Sequence, residues 1–137
     1  MAETTGSIIG LTEQECRDLI DTVTVGRLAF VDSEGQQLIP VNFAVHDGDI
    51  VFRTMPGTVT AALAEGHDDV AFGADHYDDM YQQGWNVTLV GATSIVDDAT
   101  VIAALADRRP RPWAPGDRDL LIRLHPRRID GRRVRQH

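Results

Sequence analysis

The chain has 137 residues, a net charge of -8 and one cysteine, which suits a single domain large enough to bury a real core. No apolar run approaches the ~20 residues of a membrane span, and Met1 to Gly10 lacks the basic start and apolar centre of a secretion signal. Cys16 stands alone, which excludes an internal disulfide and fits a reducing cytosol. Residues 1–107 hold 3 Arg and 18 acids, residues 108–137 hold 10 Arg and 3 acids, and there is no lysine. An acidic body disfavours nonspecific nucleic-acid binding. The arginine-rich end has two readings, a phosphate grip or a partner for acidic side chains.

Residues 1–10 are small and polar and read as a flexible segment, so the single domain is expected over 11–137. Thr12-Glu13-Gln14-Glu15 has the form of a capping box. Cys16, Leu19, Ile20 and Val23 follow at helical spacing, which lays one stripe on the core. Gly26 to Val31 is an apolar run closed by Asp32-Ser33-Glu34-Gly35, and Ile39, Val41, Phe43 and Val45 alternate as a half-buried strand does. Asp47-Gly48 supplies the positive φ angles of a tight hairpin, and Ile50 to Phe52 returns as a third strand ending on Arg53-Thr54.

A short helix is expected after Gly57-Thr58, with Ala61, Ala62 and Leu63 inward, then a strand at Val70 to Phe72. Asp75 to Gln83 is polar enough to read as a surface loop, and Trp85 to Val96 as a long strand with two neighbours. Asp97 or Asp98 caps a helix whose face is Val101, Ile102 and Leu105, and Pro110 ends it. Leu120 to Leu124 and Ile129 to Val134 are expected as closing strands, with Asp130-Gly131 as a bend. The sum is a mostly β, antiparallel barrel with short helices, in which closure removes exposed edges.

Chemistry concentrates at the end of the third strand. A phosphate needs charge-assisted donors, which Arg53 offers as a fork, and hydroxyl or backbone N–H donors, which Thr54 and Thr58 offer beside Gly57. The alternative is a surface arginine beside a helix cap. The five histidines have no zinc spacing, and Asp75, His76, Asp78 and Asp79 read as an exposed acidic loop, so no metal is expected. No Ser-His-Asp or Cys-His set can be assembled, and no catalytic acid or base can be named.

The order of VGRLAFVDSEGQQLIPVNFAVHDGDIVFRTMPGT (Val25–Thr58), VAFGAD (Val70–Asp75), GWNVTLVGAT (Gly84–Thr93) and PWAPGDRDLLIRLHPRRIDGRRV (Pro112–Val134) resembles the pyridoxamine 5′-phosphate oxidase-like, or FMN-binding split-barrel, family. The likeness covers nearly the whole chain from Leu11 onward. It implies a split β-barrel and a cytoplasmic homodimer binding FMN at the subunit interface. It also implies flavin-dependent oxidation or reduction of a small molecule, with no nucleic acid or membrane as partner. Arg53, Thr54, Gly57 and Thr58 would hold the flavin phosphate, Asn42 would meet the ring edge, and Trp85 and Trp113 would wall the pocket. Many relatives carry a lysine after the Gly-Thr pair, whereas this chain has Val59. Three variants stay open on the same fold: a deazaflavin coenzyme gripped by Arg108, Arg109, Arg111 and Arg118, a non-catalytic haem carrier, or a barrel without cofactor.

Overall fold

The computed structural model describes residues 6–105 and 120–136. Seven strands run through them: β1 (Gly6–Gly10), β2 (Val25–Asp32), β3 (Gly35–His46), β4 (Asp49–Thr54), β5 (His67–Asp78), β6 (Gln83–Ile95) and β7 (Leu120–Gln136). Helices α1 (Glu13–Ile20) and α2 (Ala99–Leu105) and a 3₁₀ helix (Thr60–Glu65) fill the connections. The sheet order is β1-β7-β4-β3-β2-β5-β6, and β6 pairs back onto β7, which closes an antiparallel barrel. The split-barrel expectation is met.

Local chemistry accounts for these elements. The capping box is formed: the Glu15 N–H donates to Thr12 Oγ1 at 3.1 Å, and the Thr12 N–H donates to Glu15 Oε1 at 3.0 Å. The Thr12 backbone N–H first, and the Thr12 hydroxyl second, hold the Glu15 carboxyl below its ordinary pKa. Their stabilisation is therefore present above the ordinary carboxylate range and fades as pH falls through the lowered value. Asp47 and Gly48 both take positive φ, 49° and 81°, which is what a two-residue hairpin turn demands. Asp98 caps α2 by accepting the Thr100 N–H at 2.8 Å, satisfying a donor that the first turn leaves free.

Alternation along the strands places Leu28, Phe30, Phe43, Ile50, Phe52, Val70, Phe72, Val87, Leu89, Ile122 and Leu124 inside, where Cys16 and Ile20 of α1 join them. Burial pushes the Cys16 thiol up from its usual pKa. A second, smaller cluster of Val51, Val96, Leu105 and Leu121 lies on the outer side of β4 and β7 beneath α2. It sets the position of the Arg53 side chain.

β7 explains the split. One edge pairs with β6 from Ile122 to Val134; the other meets β4 at Leu120–Leu124 and β1 at Arg132–Gln136. Between those two partners the Leu11 N–H donates to the Gly131 carbonyl at 3.0 Å, bringing the start of α1 over the gap. Gly131 leaves room for it, because a Cβ there would stand 2.5 Å from Cys16 Sγ.

Several local expectations change. Gly6–Gly10, read as flexible, forms β1, because β7 extends far enough to offer its free edge. The strand expected at Val70 to Phe72 runs on through Asp75 to Asp78, displacing the expected loop. Its polar side chains there are mostly exposed while its backbone pairs with Gln83 to Asn86. The two closing strands are one, continuous past Pro126 because a bulge opposite Val90 and Gly91 absorbs the proline. Ala62 and Ile102 are exposed, whereas Leu63 and Leu105 are buried as expected. Of the arginines on β7, Arg127 meets Asp69 at 2.7 Å and Arg123 approaches Asp49 at 3.9 Å, which supports the acid-pairing reading for these two. Arg108, Arg109, Arg111, Trp113 and Arg118 lie outside the described residues.

Candidate functional site

The β3–β4 hairpin does most of the assembly. Phe43 pairs with Phe52, so Asn42 and Arg53 come next along the two strands and face the same way. With Thr54, Thr58 and Thr60 they line a cavity of about 430 Å³, whose remaining wall is Ile39, Pro40, Val41, Met55 and Val59. That volume is within the range of small-molecule pockets. Gly57, at φ 83° with open space around it, lets the chain turn from Met55 to Thr58 in a conformation that glycine adopts at no steric cost. Four of the residues singled out in the sequence thus share one pocket, and Gly57 shapes its rim.

Arg53 is held from behind. Its Nη2 donates to the Leu105 carbonyl at the end of α2, at 3.4 Å. Its Nε is buried and, among the described residues, has no hydrogen-bond partner. A buried, unpaired N–H of a guanidinium costs free energy until an acceptor arrives. No side chain in the linear sequence signals the Leu105 contact, which joins positions 52 residues apart through a backbone oxygen.

The hydroxyls are arranged differently from the expectation. Thr58 Oγ1 donates its one proton to the Met55 carbonyl at 2.8 Å and accepts the Ala61 N–H at 3.2 Å. A hydroxyl has a single proton to give, so the 2.8 Å contact between Thr54 and Thr58 must be donated by Thr54. Both hydroxyl protons are committed inside the elbow. Val59, not Thr58, is the N-cap of the 3₁₀ helix, although Thr58 Oγ1 still accepts the Ala61 N–H.

Trp85 is elsewhere. It is half-buried against the core and lines a separate cavity of about 240 Å³ with Leu19, His76, Asp78 and Arg133. Among the described residues that cavity and the Arg53 pocket share no lining residue. Within one protomer it does not wall the Arg53 pocket.

The same chain aligns with known proteins over nearly its full length. The pattern of the family described as pyridoxamine 5′-phosphate oxidase matches residues 12–133. A solved structure from Corynebacterium glutamicum is 28% identical, with a TM-score of 0.81 over 100% of this chain and 98% of that one. The FAD binding protein from Mycobacterium smegmatis is 31% identical, with a TM-score of 0.77 over 92% of this chain and 97% of its own. The uncharacterised protein Rv0080 of Mycobacterium tuberculosis is 28% identical over 131 residues, which cover 93% of this chain and 86% of that protein. With the family pattern spanning barrel and pocket alike, the chain belongs to the pyridoxamine 5′-phosphate oxidase family.

Proposed function

We propose that this protein binds a flavin nucleotide in the Asn42–Thr60 pocket and uses it to oxidise or reduce a small molecule. The observation that carries the reading is Arg53, the one charged side chain among the described residues that line a largely apolar cavity. A flavin phosphate is an anion that a guanidinium pairs with, and FMN is the nucleotide that the sequence resemblance suggests. A dinucleotide has the same ring and a phosphate at the same place, and a relative 31% identical is an FAD binding protein. When bound, the flavin supplies the redox chemistry.

The chain's own residues bind and orient. Arg53 pairs with phosphate charge, the Asn42 amide donates or accepts at the ring edge, and Ile39, Pro40 and Val41 give the ring an apolar floor. Among the described lining residues Arg53 alone is charged. The described lining residues therefore supply no carboxylate or imidazole to the reaction, and access to the bound ring is what selects the substrate.

Purified protein is expected to quench the fluorescence of an added flavin nucleotide and to melt at a higher temperature with it. Arg53→Ala should weaken that binding by about ten- to a hundredfold, the worth of a hydrogen bond to a charged group. Absence of both quenching and thermal shift with FMN and with FAD would rule the reading out.

The pocket is completed in this reading by a second copy, acting as a cytoplasmic homodimer. Trp85 lines a different cavity of its own protomer, so in this reading it serves the partner's site. Trp85→Leu and Arg53→Ala dimers should each bind poorly, and mixing them under subunit exchange should restore binding in the hybrid, where one pocket has both residues intact. Binding that stays at the level of the separate variants would argue against a shared site.

A further inference from the structure

A third cavity, of about 240 Å³, lies inside the barrel beneath α1. Ile50 of β4, Val87 and Leu89 of β6, Ile129 of β7 and Ile20 of α1 form its floor, and all five belong to the main core or pack against it. Cys16, fully buried and held as the neutral thiol, behaves as one more apolar wall. Protein interiors hold few voids larger than a water molecule, and this one exceeds the roughly 150 Å³ of an apolar cavity that takes up benzene. β4, β6 and β7 are tied into one closed sheet, so the floor cannot sink to fill the space. Wall atoms facing a void lack dispersion partners, and an occupant of matching size supplies them.

The mouth opens between α1 and the β3–β4 turn, and Arg17 crosses it. Its Nη1 donates to the Gly48 carbonyl at 3.3 Å and its Nη2 to Glu13 Oε1 at 3.1 Å. The helix is anchored at its start by the capping box and by the Leu11 N–H on Gly131, so Arg17 latches its far half to the hairpin. Asp18 and Asp21 also line the mouth. With the Arg17 charge offset by Glu13, the entrance is acidic, and a carboxylate entering it would be repelled as well as desolvated.

We infer that the α1 cavity binds a small uncharged apolar molecule, of benzene to indole size, and that Arg17 is the latch over it. The inference goes beyond the flavin reading and is independent of it, since the two cavities share no lining residue.

Methyl NMR of the full chain, titrated with benzene, indole and benzoate, tests it. Benzene and indole should shift the Ile50, Val87, Leu89 and Ile129 methyls saturably and raise the melting temperature, as any ligand of the folded state alone does. Val41 and Val59, which line the Arg53 pocket, should stay still. Benzoate should bind at least about tenfold more weakly. Arg17→Ala leaves the floor untouched and should speed ligand exchange by about tenfold, the worth of a hydrogen bond from a charged donor. Val45→Phe, on the half-buried wall, should fill the space and abolish the shifts. Melting curves verify that this variant folds, and if it does not, the position of the shifts in the unaltered protein decides.

Shifts confined to Val41 and Val59 would put the molecule in the Arg53 pocket and overturn the inference. So would the absence of a saturable shift with benzene and indole, or benzoate binding as tightly as benzene; both would leave the flavin reading untouched. Exchange no faster in Arg17→Ala would overturn the latch.

Discussion

Gly91→Ala is expected to lower the melting temperature by on the order of 10 °C or more. A Cβ at this position would stand 1.9 Å from the His125 carbonyl oxygen, 2.7 Å from its carbon and 2.9 Å from Pro126 Cα. Every one of those atoms is backbone, so no flexible side chain can swing away. Gly91 also lies at the register shift where β6 crosses β7, the seam that closes the barrel. Relief requires the seam to open locally, at a cost of about 3 kcal/mol, the upper end for overpacking. That is a large part of a typical domain stability of about 5–15 kcal/mol. Thermal denaturation followed by circular dichroism measures it, with Gly10→Ala as the control, since nothing lies within 4 Å of a Cβ there. Equal shifts in the two variants would show that the close approach is not what Gly91 is for.

Phe72→Ala should cost about 3–5 kcal/mol in chemical denaturation, the range for emptying a fully buried aromatic site. Phe72 is 0% exposed, pairs with Leu28 on β2 and Leu89 on β6, and meets the Phe43 ring edge-on at 4.8 Å. Its ring tip fills the space above Gly26, where a Cβ would lie 2.2 Å from Phe72 Cζ. The two positions are therefore coupled. Gly26→Ala should be strongly destabilising alone, yet much less so in the Phe72→Ala background, giving a coupling of about 1–3 kcal/mol in a double-mutant cycle. Simple additivity would mean that the ring and the glycine do not share the space.

The parts of the barrel legible in the sequence are those whose cause is local. β3 declares itself through Ile39, Val41, Phe43 and Val45, and the following turn through Asp47-Gly48, because period-two burial and positive φ leave marks within a few residues. The pocket was legible for the same reason. Asn42 and Arg53 lie one step beyond a paired Phe43–Phe52 on a single hairpin. The illegible parts depend on distant partners. Gly-Ser-Ile-Ile-Gly is a strand only because Arg132 to Gln136 runs beside it. Asp75 to Asp78 looks like a loop because most of its side chains face water while its backbone hydrogen bonds are satisfied by β6. Pro126 looks like a strand breaker until the bulge opposite Gly91 supplies a place where no ladder donor is needed.

The hydroxyl pattern at Thr54 and Thr58 carries a related lesson. Residue type announces a potential donor, but the direction of its single proton is set by the neighbouring Met55 carbonyl and Ala61 amide. A phosphate-site reading from composition counts both threonines toward the anion; the geometry turns them away from it.

The placement of β7 has a consequence for how the molecule is made. This strand contacts β1, β4 and β6, and all three precede it in the chain. During synthesis, the hairpins from β2 to β6 can assemble while the seam they need has not yet left the ribosome. Until it does, β4 and β6 present raw strand edges, the surfaces on which chains join one another wrongly. The final closure also brings residues 6–10 beside residues 132–136, a contact between distant parts of the chain that slows folding. The window in which nascent chains can tangle is thus set by the arrival of a single late strand, and a chaperone that shields β4 and β6 would serve this protein best before that strand appears.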